Sequence, residues 1–477
     1  MARKPTILSP RGTEAMASAT LGPEMGTPIL FMVVALTLAV AFISRLARKP
    51  ARDSHKRGVM LIEGRGVASR RRRQAGRDSG ELKLAGVGVP FLDETKHFKM
   101  VGTTGTGKSS AIRQLLAGAL ARGDRVLFAD PDAGYQQRFF NRYRGDIVLN
   151  PFDPLSVRWD PYAEIGHDYD VDQLAAGLIP SSEDASSNEW RSYARTFLAA
   201  VIRRSRAGRK SLPEVWRILA IASVEEVRAL VEGTPAQPFL ELDNARMFGS
   251  IRSVAISAIA ALEHVQAQRA TPFAVREWVR AGRAPGALFI TYKATQIAAL
   301  RSMIATWVRL AIFEAMSGSE NVDQHLWFVV DELDALGAIE GLKDALTRLR
   351  KFGGRCVLGF QSIAQVHATY GTTAQTLVEN CGNSLILRCS GGESGGTSQF
   401  ASRLIGDREV VRRQMSRGSD REGALSGRGM RRSKNISDSH VTEAAIMPSQ
   451  LEQLPDLSGY LKLASSSAWR RVEFSYE

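Results

Sequence analysis

The sequence predicts an α/β protein: a parallel sheet around a phosphate-binding loop, interrupted by an all-helical insertion and preceded by a membrane-spanning helix. Three observations predict it. Gly102-Thr-Thr-Gly-Thr-Gly-Lys-Ser109 fits the pattern G-x-x-x-x-G-K-[ST] at every fixed position, between a strand-like run and a helical pattern. Apolar runs of strand length, several ending in an acid, recur on both sides of a long helical stretch. Pro28 to Ile43 carries no charge over about 16 residues, and a cluster of Arg and Lys follows it.

Residues 1–27 read as an N-terminal tail. Residues 28–46 read as the spanning helix, since Ser44 to Leu46 extend the apolar run close to the length a bilayer requires. Arg45, Arg48, Lys49, Arg52, Lys56 and Arg57 come next, which puts the following chain in the cytoplasm. A cleaved signal peptide competes, because Ala39-Val-Ala41 resembles a cleavage site. Export would take a nucleotide-binding chain away from its nucleotide, so the span is preferred. Residues 47–80 read as a basic juxtamembrane linker. Its run Ser69-Arg-Arg-Arg-Arg73 either touches anionic headgroups or DNA, or only enforces topology.

Residues 81–167 and 281–477 read as one α/β domain. Residues 81–101 alternate like two short strands leading into the loop, with His97-Phe-Lys-Met-Val101 entering it. A helix from Ser110 to Ala121 and the buried-type strand Arg125-Val-Leu-Phe-Ala-Asp130 follow. Residues 168–280 read as an all-alpha insertion, with helical spacing over Glu189–Arg204, Leu212–Ala222, Val224–Glu232 and Ala245–Gln268. Strands resume at Gly286–Thr291, Leu326–Asp331, Arg355–Gln361 and Ser384–Arg388, with a long helix from Gln296 to Met316. Residues 406–440 are rich in Arg, Ser and Gly and read as a weakly ordered basic segment. Gly459–Leu463 and Trp469–Tyr476 read as a closing pair of strands.

A chain of 477 residues holds two or three domains, and its net charge of +14 favours polyanions such as nucleic acid or anionic lipid. Three cysteines, with no C-x-x-C pair and no His cluster, argue against a disulfide framework or a zinc site.

The chemistry concentrates at the carboxyl ends of strands. Gly102, Thr103, Thr104, Gly105, Thr106, Gly107, Lys108, Ser109 and Ser110 are the candidate contacts for ATP. Glycines let the amide groups curl around a phosphate, Lys108 supplies a cation, and the Ser109 hydroxyl can ligate Mg²⁺. Asp331 ends a hydrophobic strand where a carboxylate can sit beside Mg²⁺, and Glu332 is poised to polarise water. Gln361, ending another strand, can sense the γ-phosphate. Arg348, Arg350, Lys351 and Arg355 either supply a finger to a neighbouring subunit or are solvated helix-end charges.

The chain resembles the conjugative type IV coupling proteins of the TraD family. The matching stretches are His97 to Ser109, Phe328-Val-Val-Asp-Glu-Leu333, Arg350-Lys-Phe-Gly-Gly354, Leu358-Gly-Phe-Gln-Ser-Ile-Ala-Gln365 and Gly459-Tyr-Leu-Lys-Leu463, and the resemblance spans about residues 80–477. It implies a membrane-anchored, RecA-like P-loop NTPase that forms a hexameric ring. Such a ring pumps single-stranded DNA, and couples the relaxase–DNA complex (the relaxosome) to a type IV secretion channel at the bacterial inner membrane. It implies Lys108 and Ser109 for phosphate and Mg²⁺, Asp331 and Glu332 for Mg²⁺ and water activation, Gln361 as γ-phosphate sensor and Arg350 as a trans arginine finger. Many members have two spanning helices, and this sequence shows one clear span. A double-stranded DNA translocase of the FtsK type and an ATP-dependent docking receptor are the competing readings.

Overall fold

A computed structural model describes residues 54–63, 81–182, 184–282, 286–392, 395–420 and 431–475. The span expected at 28–46 and the tail before it lie outside the described residues. Among the described residues no single helix is long and apolar enough to cross a membrane.

Ten strands form the main sheet. In chain order they are β1 (Met60–Ile62), β2 (Phe98–Val101), β3 (Arg125–Pro131), β4 (Ile147–Val148), β5 (Ala287–Tyr292), β6 (Leu326–Val330), β7 (Gly354–Phe360), β8 (Asn383–Ile386), β9 (Ser458–Lys462) and β10 (Ala468–Glu473). Their spatial order is β1-β10-β9-β8-β2-β7-β6-β3-β5-β4. From β8 to β4 every neighbouring pair is parallel. Strands β9 and β10 then add antiparallel, and β1 pairs parallel with β10. Part of the expected linker is therefore an edge strand. Both edges are short, which limits pairing with other chains.

Side chains explain the layering. Along β6, Leu326, Phe328 and Val330 join one core while Trp327 and Val329 join the other. The same alternation in β3 and β7 shows a sheet covered on both faces, as parallel sheets require. Helix α1 (Lys108–Arg122) covers one face through Ile112, Leu115, Leu116 and Ala119. Helix α2 (Ile297–Ala315) covers the other, and its buried face continues into the core of the insertion.

Residues 168–280, expected to be all-alpha, are mostly helical, over Tyr169–Leu178, Ala185–Ala207, Leu212–Ala220, Val224–Val231, Ala245–Ile259, Ala261–Ala267 and Val275–Arg280, with one short strand, Pro272–Phe273, paired with Arg158–Trp159. Asp184 and Ser223 cap their helices by accepting from Ser187 N and Glu226 N. The helix expected over 245–268 is broken at Ala260. The short helix Val275–Arg280 is clamped by buried charge at both ends. Glu164 accepts from Val275 N at 2.6 Å, Arg276 N at 3.0 Å and Trp159 Nε1 at 2.8 Å. Arg125, entering β3, donates to the carbonyls of Trp278, Val279 and Gly282. Each charge has the sign the helix dipole favours.

A smaller unit contains described residues 54–55, 410–420 and 431–441. They lie in strands Ser54–Gly58, Asp407–Asp420 and Arg431–Ala444 of a three-stranded sheet. The segment expected to be weakly ordered is thus largely strand. Backbone pairing joins its strands, and the exposed Arg413–Asp438 ion pair spans the two long ones at 2.9 Å.

At the amino end of the sheet, Asp124, Glu94, Arg122 and Arg355 form a buried network. Arg122 donates to both oxygens of Glu94 at 2.8 Å and to Asp124, and Arg355 donates to Glu94 at 2.9 Å. Trp327 Nε1 donates to Asp124 at 2.8 Å, and His325 faces it at 3.0 Å. Burial alone would raise the Asp124 carboxyl, but His325, Arg122 and Trp327 outweigh it and hold it at about 2, against an ordinary 3.8. The folded value is depressed, so this stability is present above the unfolded value and lost as pH falls through the folded one. Asp124→Asn should cost about 2 kcal/mol at neutral pH, since each tenfold change in proton affinity is worth ~1.4 kcal/mol. Denaturant titrations of the full chain should show that difference shrinking between about pH 4 and pH 2.

Candidate active site

The strand order assembles the site. β7 lies between β2 and β6, so its carboxyl end sits between the phosphate loop and the acidic pair. Ligands of such sheets bind beyond the carboxyl ends of the strands, where connections diverge. A cavity of ≈ 180 Å³ opens there, lined by Thr103, Thr104, Gly105, Gly107, Lys108, Ser109, Ser110, Asp331, Glu332, Gln361 and Leu457. The residues singled out in the sequence are therefore brought together, apart from Gly102 and Thr106 beneath the loop and Arg350.

The loop is held from below. Gly102 N donates to Phe360 O at 3.3 Å and Thr103 N to Arg388 O at 2.9 Å, fastening it to β7 and to the chain after β8. Thr106 is fully buried and donates to Thr103 O at 2.7 Å, a structural role. Gly105 and Gly107 have φ of +79° and +107°, where a Cβ is disfavoured. Gly102 does not need that freedom. A Cβ there would meet Thr106 Oγ1 at 2.8 Å and Leu387 Cβ at 2.9 Å, so its requirement is close approach.

Lys108 opens helix α1, is 7 % exposed, and its Nζ lies 3.7 Å from Asp331 Oδ1. Ser109 Oγ donates to Asp331 Oδ2 at 2.6 Å. Asp331 Oδ1 is buried and has no hydrogen-bond partner. A hydroxyl that spends its proton on Asp331 keeps its lone pairs, and the orphaned Oδ1 keeps its own. Those are the oxygen donors that Mg²⁺ prefers, so the residues present fit a Mg²⁺ ion and its water shell. Among the described residues no group of three or more His, Cys, Asp or Glu could hold a metal alone.

Glu332 is half-buried, and burial pushes its carboxyl above the usual range despite the opposing charge of Lys108. A raised value makes it a better proton acceptor near neutral pH. Gln361 Nε2 donates to Glu332 Oε1 at 3.2 Å, while Thr104 Oγ1 donates to Gln361 Oε1 at 2.7 Å. The amide therefore links the tip of the phosphate loop to Glu332.

Arg350 lies elsewhere. It is exposed in the turn Leu349–Phe352, before the amino end of β7. The strand alone separates it from Gln361 by roughly 20 Å at ~3.3 Å per residue. Within its own subunit it does not reach the cavity. Arg355, of the same basic cluster, is wholly buried against Glu94, and Lys351 pairs with Glu320 at 3.1 Å.

Sequence reasoning missed three residues. Gly359 lets β7 pass close to Asp331, since a Cβ there would fall on the Asp331 carbonyl oxygen and lie 2.8 Å from Oδ1. Leu457 presses on the loop with φ of +59°, and Leu457 N donates to Thr106 O at 2.9 Å. Tyr135 donates to Asp331 Oδ2 at 2.7 Å. Only Asp130, the acid at the end of β3, signals its surroundings, because its carboxylate accepts from Tyr135 N and Gln136 N at 2.9 and 2.7 Å.

A family model described as the type IV secretion-system coupling protein DNA-binding domain matches residues 81–475. The chain is 28% identical over 469 residues to the coupling protein TraD of Escherichia coli (strain K12), covering 94% of this chain and 63% of TraD. It is 23% identical over 339 residues to the conjugal transfer protein TraG of Escherichia coli, covering 62% of this chain and 52% of TraG. It thus spans less than two thirds of the length of these curated relatives. Among solved structures, the bacterial conjugative coupling protein TrwB, unbound, superposes with a TM-score of 0.76 at 29% identity, covering 90% of this chain and 95% of that one. TrwB in complex with ADP and Mg²⁺ gives a TM-score of 0.76 at 29% identity, over 90% of this chain and 96% of that one. The α/β fold with its helical domain matches that of TrwB, a RecA-like P-loop NTPase.

Gly359→Ala tests the packing of β7 against the acidic pair. The added methyl forces backbone apart, which costs about 1–3 kcal/mol in a packed interior. Denaturant midpoints should fall by that amount, and Mg²⁺-dependent binding of a fluorescent ATP analogue should weaken, since Asp331 is what moves.

Proposed function

Because the chain belongs to the type IV secretion-system coupling protein family, we propose that it hydrolyses ATP to drive single-stranded DNA, with its relaxase, into a secretion channel during conjugation. One observation carries the chemical part of this reading: loop, acidic pair and Gln361 line one cavity on a coupling-protein fold. The net charge of +14 supports a nucleic-acid partner. The apolar 28–46 segment and the Arg/Lys cluster after it support a single-pass anchor in the bacterial inner membrane, with the bulk of the chain cytoplasmic.

Lys108 and the loop amides bind the β- and γ-phosphates and offset their charge. Ser109 and Asp331 would hold Mg²⁺, which when bound supplies further positive charge to those oxygens. Glu332 accepts a proton from the attacking water, and its burial suits it to do so. Gln361 exchanges its contact with Glu332 for one to water or the γ-phosphate as the site fills. The remaining transition-state charge calls for a second cation. Arg350, exposed and remote from its own site, is suited to act on a neighbour in a homo-hexameric ring.

Steady-state ATP hydrolysis by the full chain, with and without single-stranded DNA, tests the reading. Turnover should rise with single-stranded DNA and weaken with salt. A response to duplex DNA alone would favour an FtsK-type motor, and DNA-independent stoichiometric binding would favour a docking receptor. Lys108→Ala should abolish turnover, and Glu332→Gln should keep ATP binding while stalling hydrolysis. Arg350→Ala should bind ATP but turn over ~10³-fold more slowly. Mixing it with Lys108→Ala should restore part of the rate, and no recovery in co-assembled mixtures would exclude a trans finger. Alkaline carbonate should leave the protein in the membrane pellet, and its release would rule out the anchor.

A further inference from the structure

Tyr135 touches the acid at the centre of the site, yet no part of the phosphate-loop chemistry calls for a tyrosine there. It is 2 % exposed, and its hydroxyl donates to Asp331 Oδ2 at 2.7 Å. The same oxygen accepts from Ser109 at 2.6 Å, whereas Oδ1 has no hydrogen-bond partner. A carboxylate on one rotatable bond is broad in its torsion. Two donors on one oxygen remove that freedom and decide which oxygen remains to accept.

The ring is itself held firmly. It stacks on Phe128 at 5.1 Å between centroids, and Phe128 stacks on Phe289 at 5.0 Å. The Arg113 guanidinium also lies over the ring, 5.7 Å from the centroid. Its backbone is fixed by Asp130, whose carboxylate accepts from Tyr135 N and Gln136 N. The turn that delivers it contains Asp132 and Ala133 at φ of +54° and +56°, a conformation that costs energy for residues with a Cβ. The hydroxyl is thus mounted on the short helix Gly134–Phe139 that follows β3 and its turn, while Ser109 belongs to helix α1 and Asp331 follows the end of β6.

We propose that Tyr135 is a positioning residue for the metal-side acid: with Ser109 it locks Oδ2 of Asp331 and leaves Oδ1 as the oxygen presented to Mg²⁺ and its water shell. This rests on the reading of the site as a Mg²⁺–ATP site. Residues hydrogen-bonded to metal ligands orient them, and their loss costs about 10- to 100-fold in metal affinity or activity. Tyr135→Phe deletes the hydroxyl and keeps the ring stack and the backbone bonds to Asp130.

The test is a Mg²⁺ titration of the full chain with a ribose-labelled fluorescent ATP analogue, alongside thermal unfolding and turnover. In EDTA, Tyr135→Phe should bind the analogue as the wild type does, with an unchanged thermal midpoint. The Mg²⁺ concentration that gives half of the Mg²⁺-dependent gain in affinity should rise on the order of 10-fold. Turnover should fall at limiting Mg²⁺ and recover toward the wild-type rate at saturation. An unchanged Mg²⁺ midpoint overturns the proposal. So does weaker binding in EDTA or a lowered thermal midpoint, since the ring would then serve packing alone. A wild type whose nucleotide affinity ignores Mg²⁺ sinks the metal reading itself, and the proposal with it.

Discussion

The insertion of β7 between β2 and β6 sets the distance between the phosphate loop and the acidic pair, and most of the site is a consequence of it. β7 carries Gly359 where a side chain would strike Asp331, so β6 and β7 keep their register up to their ends. The carbonyl of Phe360 holds the start of the loop, and the next residue, Gln361, projects between Thr104 and Glu332. One strand thus supplies the spacer, the floor and the link. Hydrogen bonds across three parallel strands hold these positions more precisely than loops alone would.

The two ends of the sheet treat their buried carboxylates differently. At the amino end, Glu94 and Asp124 are saturated by guanidinium, indole and imidazole donors, and the network serves the fold. At the carboxyl end, charge is left underpaired. Asp331 Oδ1 and the Tyr292 hydroxyl are buried without hydrogen-bond partners, Oδ1 having only the Lys108 ammonium at 3.7 Å, Glu332 is raised by burial, and burial lifts Asp130 to about 6. Such groups cost stability, and they persist where a ligand completes them.

Legibility in the sequence follows the range of the interactions involved. The phosphate loop, the strand ending in Asp331-Glu332 and the helices of the insertion depend on local pattern, and they are readable. Arg355 reads like its exposed arginine neighbours, because nothing nearby in sequence reveals Glu94 across the sheet. The strands of 407–420 and 431–444 are hidden by low apolar content, since their pairing uses backbone and ion pairs. Leu457 and Tyr135 act on the loop and on Asp331 from far along the chain, through backbone angles that a leucine or an Asp-Ala pair does not advertise.

The insertion is fastened to the same carboxyl end. Beyond Glu332 the chain runs through Leu333, whose N–H donates to Gly359 O at 3.0 Å, to Gly337 and Ile339, both bonded to the Tyr370 hydroxyl. It reaches Glu340, which accepts from both Ser181 N and Ser181 Oγ at 2.9 Å, just before the long helix Ala185–Ala207. Arg309 of α2 lies 3.7 Å from Glu340 and donates to the Gln173 side chain at 2.6 Å. The segment that begins with Asp331 and Glu332 therefore ends on the base of the insertion, with hydrogen bonds along the way. A helical domain tied only through its two chain crossings would ride on the sheet independently of nucleotide. Here one further tie, beside the shared core under α2, runs through the loop that begins at Asp331 and Glu332, so the geometry of Glu332 and the seat of the insertion are joined along one stretch of backbone.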